Sequence, residues 1–434
     1  MIRVSHRNSA STFIAFVLSM LLFFCGIKPS LAEQINFTLP ESIQTLQPNR
    51  HALINAPAKR QLDQAYHFVD QSNYDAALTE ISELISKYEH NPVVVSHGLR
   101  LAAQILANQD KSETAILSLK KIIYLDSLAS DTILDMKLLL AKLYLQHEKY
   151  NDSLPLLKAW IHGSSASEDL AQVYYLLAYT QYQLKHYDAS IASAKKGLAE
   201  KPEDMTALLS IQLNSALELK EYPSAENVSV KLIQVQPNIK SYWINWVNTL
   251  RLQNKNKAAL ASIELMMQQH PLTENDTLNY IQLLLEQDFP ERAARQLQEA
   301  IDSRKIKANN KLYYLLSQAW EKAGQPEKAI LALEANQQQD KNSLTRLIYL
   351  HARSANWHSL IKLIDANQTL LKNEDWIWLH KARAYYETAQ TDKATNLLEQ
   401  LITKTNVDEK VKVTAEQWLV FYQGLQNAEN EATK

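Results

Sequence analysis

Cysteine and glycine are nearly missing from this chain: Cys25 is the one cysteine, and six glycines serve 434 residues. A lone cysteine excludes an internal disulfide and a cysteine-built metal cage. So few glycines leave little for phosphate-cradling loops or tight hairpins. Runs of alternating β-branched residues are lacking, and with them the usual sign of sheet. No GxSxG, HExxH, GxGxxG or P-loop stretch occurs. Charge of one sign is lacking too, with 45 Lys and Arg against 47 Asp and Glu. Such a balance offers no overall field for nucleic acid or anionic lipid.

What is present begins with "FIAFVLSMLLFFCGI", Phe13 to Ile27, behind a stretch that carries Arg3 and Arg7 and no acid. Ser30 and Ala32 then occupy the two small positions that a signal peptidase reads. This predicts a secretory signal peptide over 1–32, cleaved after Ala32. The apolar run is shorter than the ~20 residues of a spanning helix; retention as an anchor is the alternative. A lipoprotein at Cys25 is disfavoured, because Phe23 and Phe24 stand where small residues are needed. Cleavage would remove the cysteine, and a cysteine-free exported chain suits an oxidising compartment such as the periplasm. Residues 33–56 are polar, with internal prolines, and read as an extended lead-in.

Beyond the lead-in a pattern recurs. A small residue near the start of an apolar-periodic helix appears as Ala77, Ala115, Ser153, Ser190, Ala225, Ala259, Ala293 and Ala329, then as Leu360, then as Ala394. These ten anchors are 38, 38, 37, 35, 34, 34, 36, 31 and 34 residues apart. Twelve residues earlier lie Ala65, Ala103, Ala141 and Ala178. Nine earlier lies a bulky residue in many units, such as Leu106, Tyr144, Leu284 and Trp320. Prolines follow three anchors by twelve residues, at Pro202, Pro237 and Pro271. Small residues let paired helices approach, large ones fill the gap between pairs, and proline ends the second helix. A period near 34 residues means stacked helix–turn–helix units. The long early spacings predict extended loops between the first units. Leu360 and the short spacing before it put the register of the ninth unit in question.

This pattern resembles the tetratricopeptide repeat (TPR) family. The resemblance implies an all-α TPR solenoid of about ten helix–turn–helix repeats over 57–408. A capping helix and polar tail at 409–434 would close it, since repeat arrays must cover their last apolar face. The family's glycine on the first helix is absent throughout.

Candidate chemistry is sparse. His162 lies beside serines in "HGSSAS", but no third group or oxyanion hole accompanies them. His351 and His358 flank the turn of the ninth unit without an acid or third histidine at ligand spacing. No catalytic, cofactor or metal site is expected, and the chain reads as no enzyme.

The family resemblance also implies a groove lined by first-helix positions 18, 15, 11 and 8 residues before each anchor. These give Tyr175, Tyr179, Tyr182, Asn214, Asn248, Arg251, Gln282, Tyr314, Gln318, Tyr349, Arg383 and Tyr386 as a candidate partner-binding groove. Amides bond a peptide backbone in both directions, and tyrosine offers apolar area with a polar tip. An extended peptide would suit such a surface; a merely wet polar face is the other reading. The carboxylate clamp of chaperone-binding TPRs is absent, because Ser210, Asn275 and Asn279 fill its basic positions.

A narrower resemblance rests on "LLLAKLYLQHEKYNDSLPLLKAW", "SYWINWVNTLRLQNKNKAALASIELMMQQ" and "YYLLSQAWEKAGQPEKAILALE", in that order. They are similar to periplasmic TPR proteins associated with TonB–ExbB–ExbD systems. That resemblance implies a periplasmic scaffold with a protein or extended peptide partner, with TonB, ExbB or ExbD components as the candidates, and only indirect membrane association. A scaffold for envelope or exopolysaccharide assembly is the alternative.

Overall fold

A computed structural model describes residues 37–49, 51–164, 170–336 and 340–432, with side chains as far as 426. The expected signal peptide and the start of the lead-in lie outside the described residues, as do Ser165 and Ser167. Among the described residues there is no strand; a 3-10 turn, Glu41–Ile43, precedes a succession of α-helices.

The chain divides into two compact units, the first ending at Val235 and the second starting at Gln236. Five helix pairs build the first unit: α1 (Ala56–Asp70) with α2 (Tyr74–Lys87), α3 (Pro92–Asn108) with α4 (Ser112–Leu125), α5 (Ser130–Gln146) with α6 (Tyr150–Gly163), α7 (Leu170–Gln183) with α8 (Tyr187–Ala199), and α9 (Thr206–Glu218) with α10 (Tyr222–Val235). Five more build the second: α11 (Lys240–Leu252) with α12 (Asn256–Met267), α13 (Glu274–Glu286) with α14 (Pro290–Asp302), α15 (Asn310–Lys322) with α16 (Pro326–Glu334), α17 (Lys341–Arg353) with α18 (Trp357–Ala366), and α20 (Asp375–Glu387) with α21 (Thr391–Thr403). A single turn, α19 (Gln368–Leu371), precedes the last pair, and α22 (Glu409–Ala432) follows it.

Every anchor is the fourth residue of its second helix, and all ten are 0% exposed. The ninth unit is therefore in register after all. Leu360 fills its site among Leu344, Ile348, Ile364 and Leu371, and the short spacing before it arises because α16 has only 9 residues. The expectation of extended early loops fails at the first two junctions. There the extra residues lengthen α3 and α5 to 17 each, while the junctions 88–91 and 126–129 stay short.

One turn geometry closes the first helix of each pair. Two residues before the second helix the backbone is left-handed, at Ser72, Asp110, Glu148, Lys185 and Lys220, and again at Asn254, Asp288, Gly324, Ala355 and Ala389. The next N–H returns to a carbonyl five residues back, as from Lys149 to Tyr144 (2.8 Å) or Gln325 to Trp320 (2.9 Å). This Schellman arrangement satisfies carbonyls that a helix end leaves orphaned. Glycine, the residue this backbone favours, serves only at Gly324.

The small positions face each other as their spacing implied. Ala65, Ala103, Ala141 and Ala178 are fully buried. Where the anchor is serine, its hydroxyl donates to the carbonyl of the small residue twelve positions earlier: Ser153 to Ala141 at 3.0 Å and Ser190 to Ala178 at 2.8 Å.

The lead-in is held rather than free. Phe37 and Ile43 are buried in the core of the first two pairs. Lys121 Nζ on α4 donates to the carbonyls of Gln44 (3.1 Å) and Leu46 (3.0 Å), Tyr124 donates to Gln47 (3.1 Å), and Asn91 Nδ2 donates to Leu53 O (3.0 Å). At the other end, α22 buries Ala415 and Tyr422 against the last pair.

Candidate functional site

The first helices of both units carry the positions that the repeat pattern singles out. In the first unit, Tyr175 and Tyr182 on α7 and Asn214 on α9 are half-buried and reach the surface. Tyr179 does not; it is 8% exposed and belongs to the core of pairs three and four. Its helical phase matches that of the exposed Asn248 and Gln282, but its ring lies 6.2 Å, edge-on, from Tyr150 at the start of α6 and 6.5 Å, stacked, from Tyr175. Aromatic neighbours enclose a position that elsewhere stays open. Burial, then the hydrogen bond with Tyr179, pushes the Tyr150 hydroxyl far above the usual tyrosine range. Tyr182 packs against Tyr187, with ring centroids 5.6 Å apart.

In the second unit, Arg251 and Gln282 both turn to Glu286, an acid that the sequence reading did not single out. Arg251 lies 3.5 Å from Glu286 Oε1, and Gln282 Nε2 donates to that oxygen at 2.8 Å. Asn256 Nδ2 donates to the other oxygen at 3.3 Å. Arg383 pairs with Glu387 at 3.4 Å and stands over the Trp357 ring at 5.2 Å. Tyr386, expected in the groove, is covered: its ring stacks on Tyr422 of α22 with centroids 3.9 Å apart and planes 5° from parallel. The capping helix thus takes one face of the ring, and Tyr386 stays half-buried.

Further along the second unit a cleft of about 610 Å³ opens where α15, α17 and α20 begin. Tyr314 and Tyr349 line it together with Trp376, Asn310, Lys311, Asn342, Thr345, Arg346 and Asp340. Two of the twelve candidates thus meet in one cavity, whereas Gln318, Arg383 and Tyr386 lie outside its lining. Lys311, Asn342, Thr345 and Trp376 fall 18 or 15 residues before their anchors, so the positional rule reaches them. Asn310 and Arg346 lie off that rule, and Asp340 precedes α17 as its N-cap.

The cleft's polar groups are fixed by local chemistry. Asp340 caps α17 by accepting from Ser343 N at 2.8 Å. That bond, the Ser343 hydroxyl and Asn310 hold its carboxyl below the usual range. Trp376 Nε1 donates to Glu374 at 3.1 Å, and Lys341 pairs with the same carboxylate at 2.6 Å. Arg346 is paired with Glu321 and stands 5.5 Å from the Tyr349 ring centroid, and Arg353 donates to the other Glu321 oxygen at 2.9 Å. Tyr349, 41% exposed, is the most open aromatic of the cleft.

Among the described residues no group of three or more His, Cys, Asp and Glu side chains gathers to hold a metal ion. His351 is buried, 3.6 Å from Glu334, and burial keeps it below the usual imidazole range. His358 is exposed on the far side of the turn.

Comparison with known proteins gives one family match and several similar structures. Residues 281–342, from within α13 to the start of α17, match the family model of the tetratricopeptide repeat. The chain is similar to a tetratricopeptide repeat protein from Parabacteroides merdae, with 17% identity, 61% of this chain and 99% of that one covered, and a TM-score of 0.37. It is also similar to the C-terminal part of a TPR protein from Cytophaga hutchinsonii (13% identity, 65% and 98% covered, TM-score 0.39). A third similar structure is YrrB, a TPR protein with an unusual peptide-binding site (17% identity, 44% and 97% covered, TM-score 0.34). No curated protein matches the chain. Among the described residues the chain is therefore an all-helical array of ten helix–turn–helix pairs in one register, each closed by the same turn, and its stretch 281–342 matches the tetratricopeptide repeat.

Proposed function

We propose that the protein is a non-enzymatic periplasmic scaffold that grips an extended, proline-rich segment of a protein partner in the cleft of pairs eight to ten. The observation that carries this reading is the joint presence of Tyr314, Tyr349 and Trp376 in one open cleft beside Asn310 and Asn342. Aromatic walls suit a polyproline II segment, which is already extended and loses little entropy on docking. Amide side chains bond its backbone carbonyls, which carry no internal partners. The expected leader at 1–32 supports export. The resemblance to periplasmic TPR proteins of TonB–ExbB–ExbD systems supports a partner in that machinery, whose periplasmic arm is proline-rich.

Titration of the full chain with a proline-rich peptide from the periplasmic arm of TonB tests the reading. Tyr349→Ala should weaken binding by at least about thirtyfold, as loss of an aromatic hot spot does. Melting should hold within about 0.5 kcal/mol, because the ring is a surface group. A parent protein that ignores the peptide, or a variant that binds it equally well, overturns the cleft assignment. Normal growth of a deletion strain on scarce chelated iron would count against the TonB association while leaving the cleft open to another proline-rich partner.

A further inference from the structure

The cleft of pairs eight to ten carries more positive charge than its own acids balance. Three charged side chains line it: Lys311 on α15, Arg346 on α17 and Asp340 just before α17. Asp340 is already engaged. Its carboxylate accepts from Ser343 N at 2.8 Å, and the positive end of the α17 dipole offsets its charge. Arg346 has to share its partner. Glu321 takes both Arg346 and Arg353, so two guanidinium groups divide one carboxylate, and the buried Nε of Arg346 finds no acceptor. Glu374, beside the cleft, is taken by Lys341 and Trp376. Elsewhere in this unit Lys240, Lys341, Lys381 and Lys404 each have an acid in reach. Lys311 has none among the described residues, and the first turn of α15, where it stands, holds no acid.

Each of these cations stands one helical turn before an aromatic ring. Lys311 precedes Tyr314 by three residues, and Arg346 precedes Tyr349 by three. That spacing puts both members of a pair on one helix face, with about 5–6 Å between their Cβ atoms. All four line the same cleft. An extended polyproline II chain rises about 3.1 Å per residue. A proline set against either tyrosine therefore brings the side chain about one or two positions away beside a cation. Lysine and arginine carry donors and no acceptor. The side chain that answers them is a carboxylate, which forms the stronger, charge-assisted bond. A basic one is repelled, and a neutral one leaves the charge unbalanced.

We propose that the cleft selects a proline-rich segment bearing an acidic residue next to, or one position beyond, a proline. Lys311 sets this preference, and Arg346 supplies a second positive contact. This rests on the cleft being the docking site proposed above and narrows the partner, since that reading asks only for proline.

Titration of the full chain with three capped proline-rich peptides tests this, the peptides being alike except that glutamate, glutamine or lysine adjoins the prolines. In dilute salt the parent should bind the glutamate peptide at least about threefold more tightly than the glutamine one, the scale of an exposed ion pair. The lysine peptide should bind most weakly. The preference should fade in about 1 M salt, where charges act over only about 3 Å. Lys311→Glu should remove the preference for glutamate and turn it toward lysine. Its thermal melting should match the parent's, because Lys311 is exposed and surface substitutions rarely matter for folding. A parent that binds the glutamate and glutamine peptides equally overturns the inference and leaves the cleft reading in place. So does a glutamate preference that survives in Lys311→Glu. A parent that binds none of the three removes the cleft reading, and this inference falls with it.

Discussion

The two units meet one packing demand with different chemistry. In the first, neutral hydroxyls lie inside the pairs: Ser190 Oγ donates to Ala178 O, Ser193 donates to Gln181 Oε1 at 2.7 Å, and Ser215 donates to Ser190 at 3.0 Å. Beside them a tyrosine cluster around Tyr179 fills pairs three and four. In the second unit, ion pairs tie successive helix pairs together: Lys240 to Asp276 at 2.6 Å, Arg292 to Glu264 at 2.6 Å, and Arg346 and Arg353 to Glu321. Further along, Lys341 meets Glu374 and Lys404 meets Asp375, each at 2.6 Å. Buried hydroxyls satisfy carbonyls without ionising, so they resist changes of salt and pH. Ion pairs are weak singly and sensitive to both. One repeat pattern therefore accommodates a dry half and a charged half, because the pattern demands only small anchors and bulky fillers.

The largest expected effect opposes the aromatic residues of the two halves. Tyr179→Ala should destabilise the first unit by about 3 kcal/mol, the scale for removing an enclosed aromatic ring. Tyr349→Ala in the second unit should cost under about 0.5 kcal/mol. Denaturant unfolding of both variants checks this. Equal losses would erase the contrast between an enclosed tyrosine cluster and an open aromatic cleft.

Acid should separate the halves next. Burial alone would raise the Asp276 carboxyl, but hydrogen bonds from Lys240 and Thr273 hold it below the usual range. Hydrogen bonds from Lys341 and Trp376 hold Glu374 low as well. A depressed carboxylate adds stability that is present above the unfolded value of about 4 and is lost as pH falls through the lowered folded value. His351 and His380 are held low by burial. The folded state then takes up fewer protons than the unfolded chain, so their effect also turns unfavourable as pH falls below about 6.5. His97 in the first unit behaves the same way, through burial and Arg100. Carboxylates and histidines act in one direction, and the second unit holds more of both. Between pH 7.5 and pH 3 its melting should fall further than that of the first unit, by a few degrees or more. Calorimetry at both pH values checks this, and a parallel decline would refute it.

The smallest effect tests the turns that both halves share. Ala355 and Lys185 hold left-handed backbone that glycine adopts freely. A non-glycine residue there costs about 1–2 kcal/mol, partly offset by the greater entropy that glycine loses on folding. Ala355→Gly and Lys185→Gly should each raise stability by about 0.5–1 kcal/mol, measured by denaturant midpoint. A loss in either unit would show that its turn relies on the side chain.

Much of the fold was legible from residue types, because close approach admits few of them. The ten anchors mark the fourth residue of ten helices, and even Leu360 follows the rule by filling its site with a larger side chain. The short α16 and the lengthened α3 and α5 were not legible, since helix length trades against junction length within one spacing. The site was half legible. The positional rule reaches Tyr314 and Tyr349, and it reaches Trp376, which packing brings beside them. Arg346 and Asp340 escaped it: Arg346 turns to Glu321 of a neighbouring pair, Asp340 stands before α17 as its N-cap, and no rule about positions within one helix can see either.

By itself the sequence determined which segments pair and where each pair turns, since small, bulky and helix-ending residues act over some 34 positions of local chain. Exposure was decided only in three dimensions. Tyr179 has the phase of a groove residue, yet Tyr150, 29 positions earlier, closes over it. Tyr386 has that phase too, yet Tyr422 of the capping helix lies flat upon it. Burial is a property of all the atoms around a side chain, and a repeat pattern records only those that its own helix pair supplies.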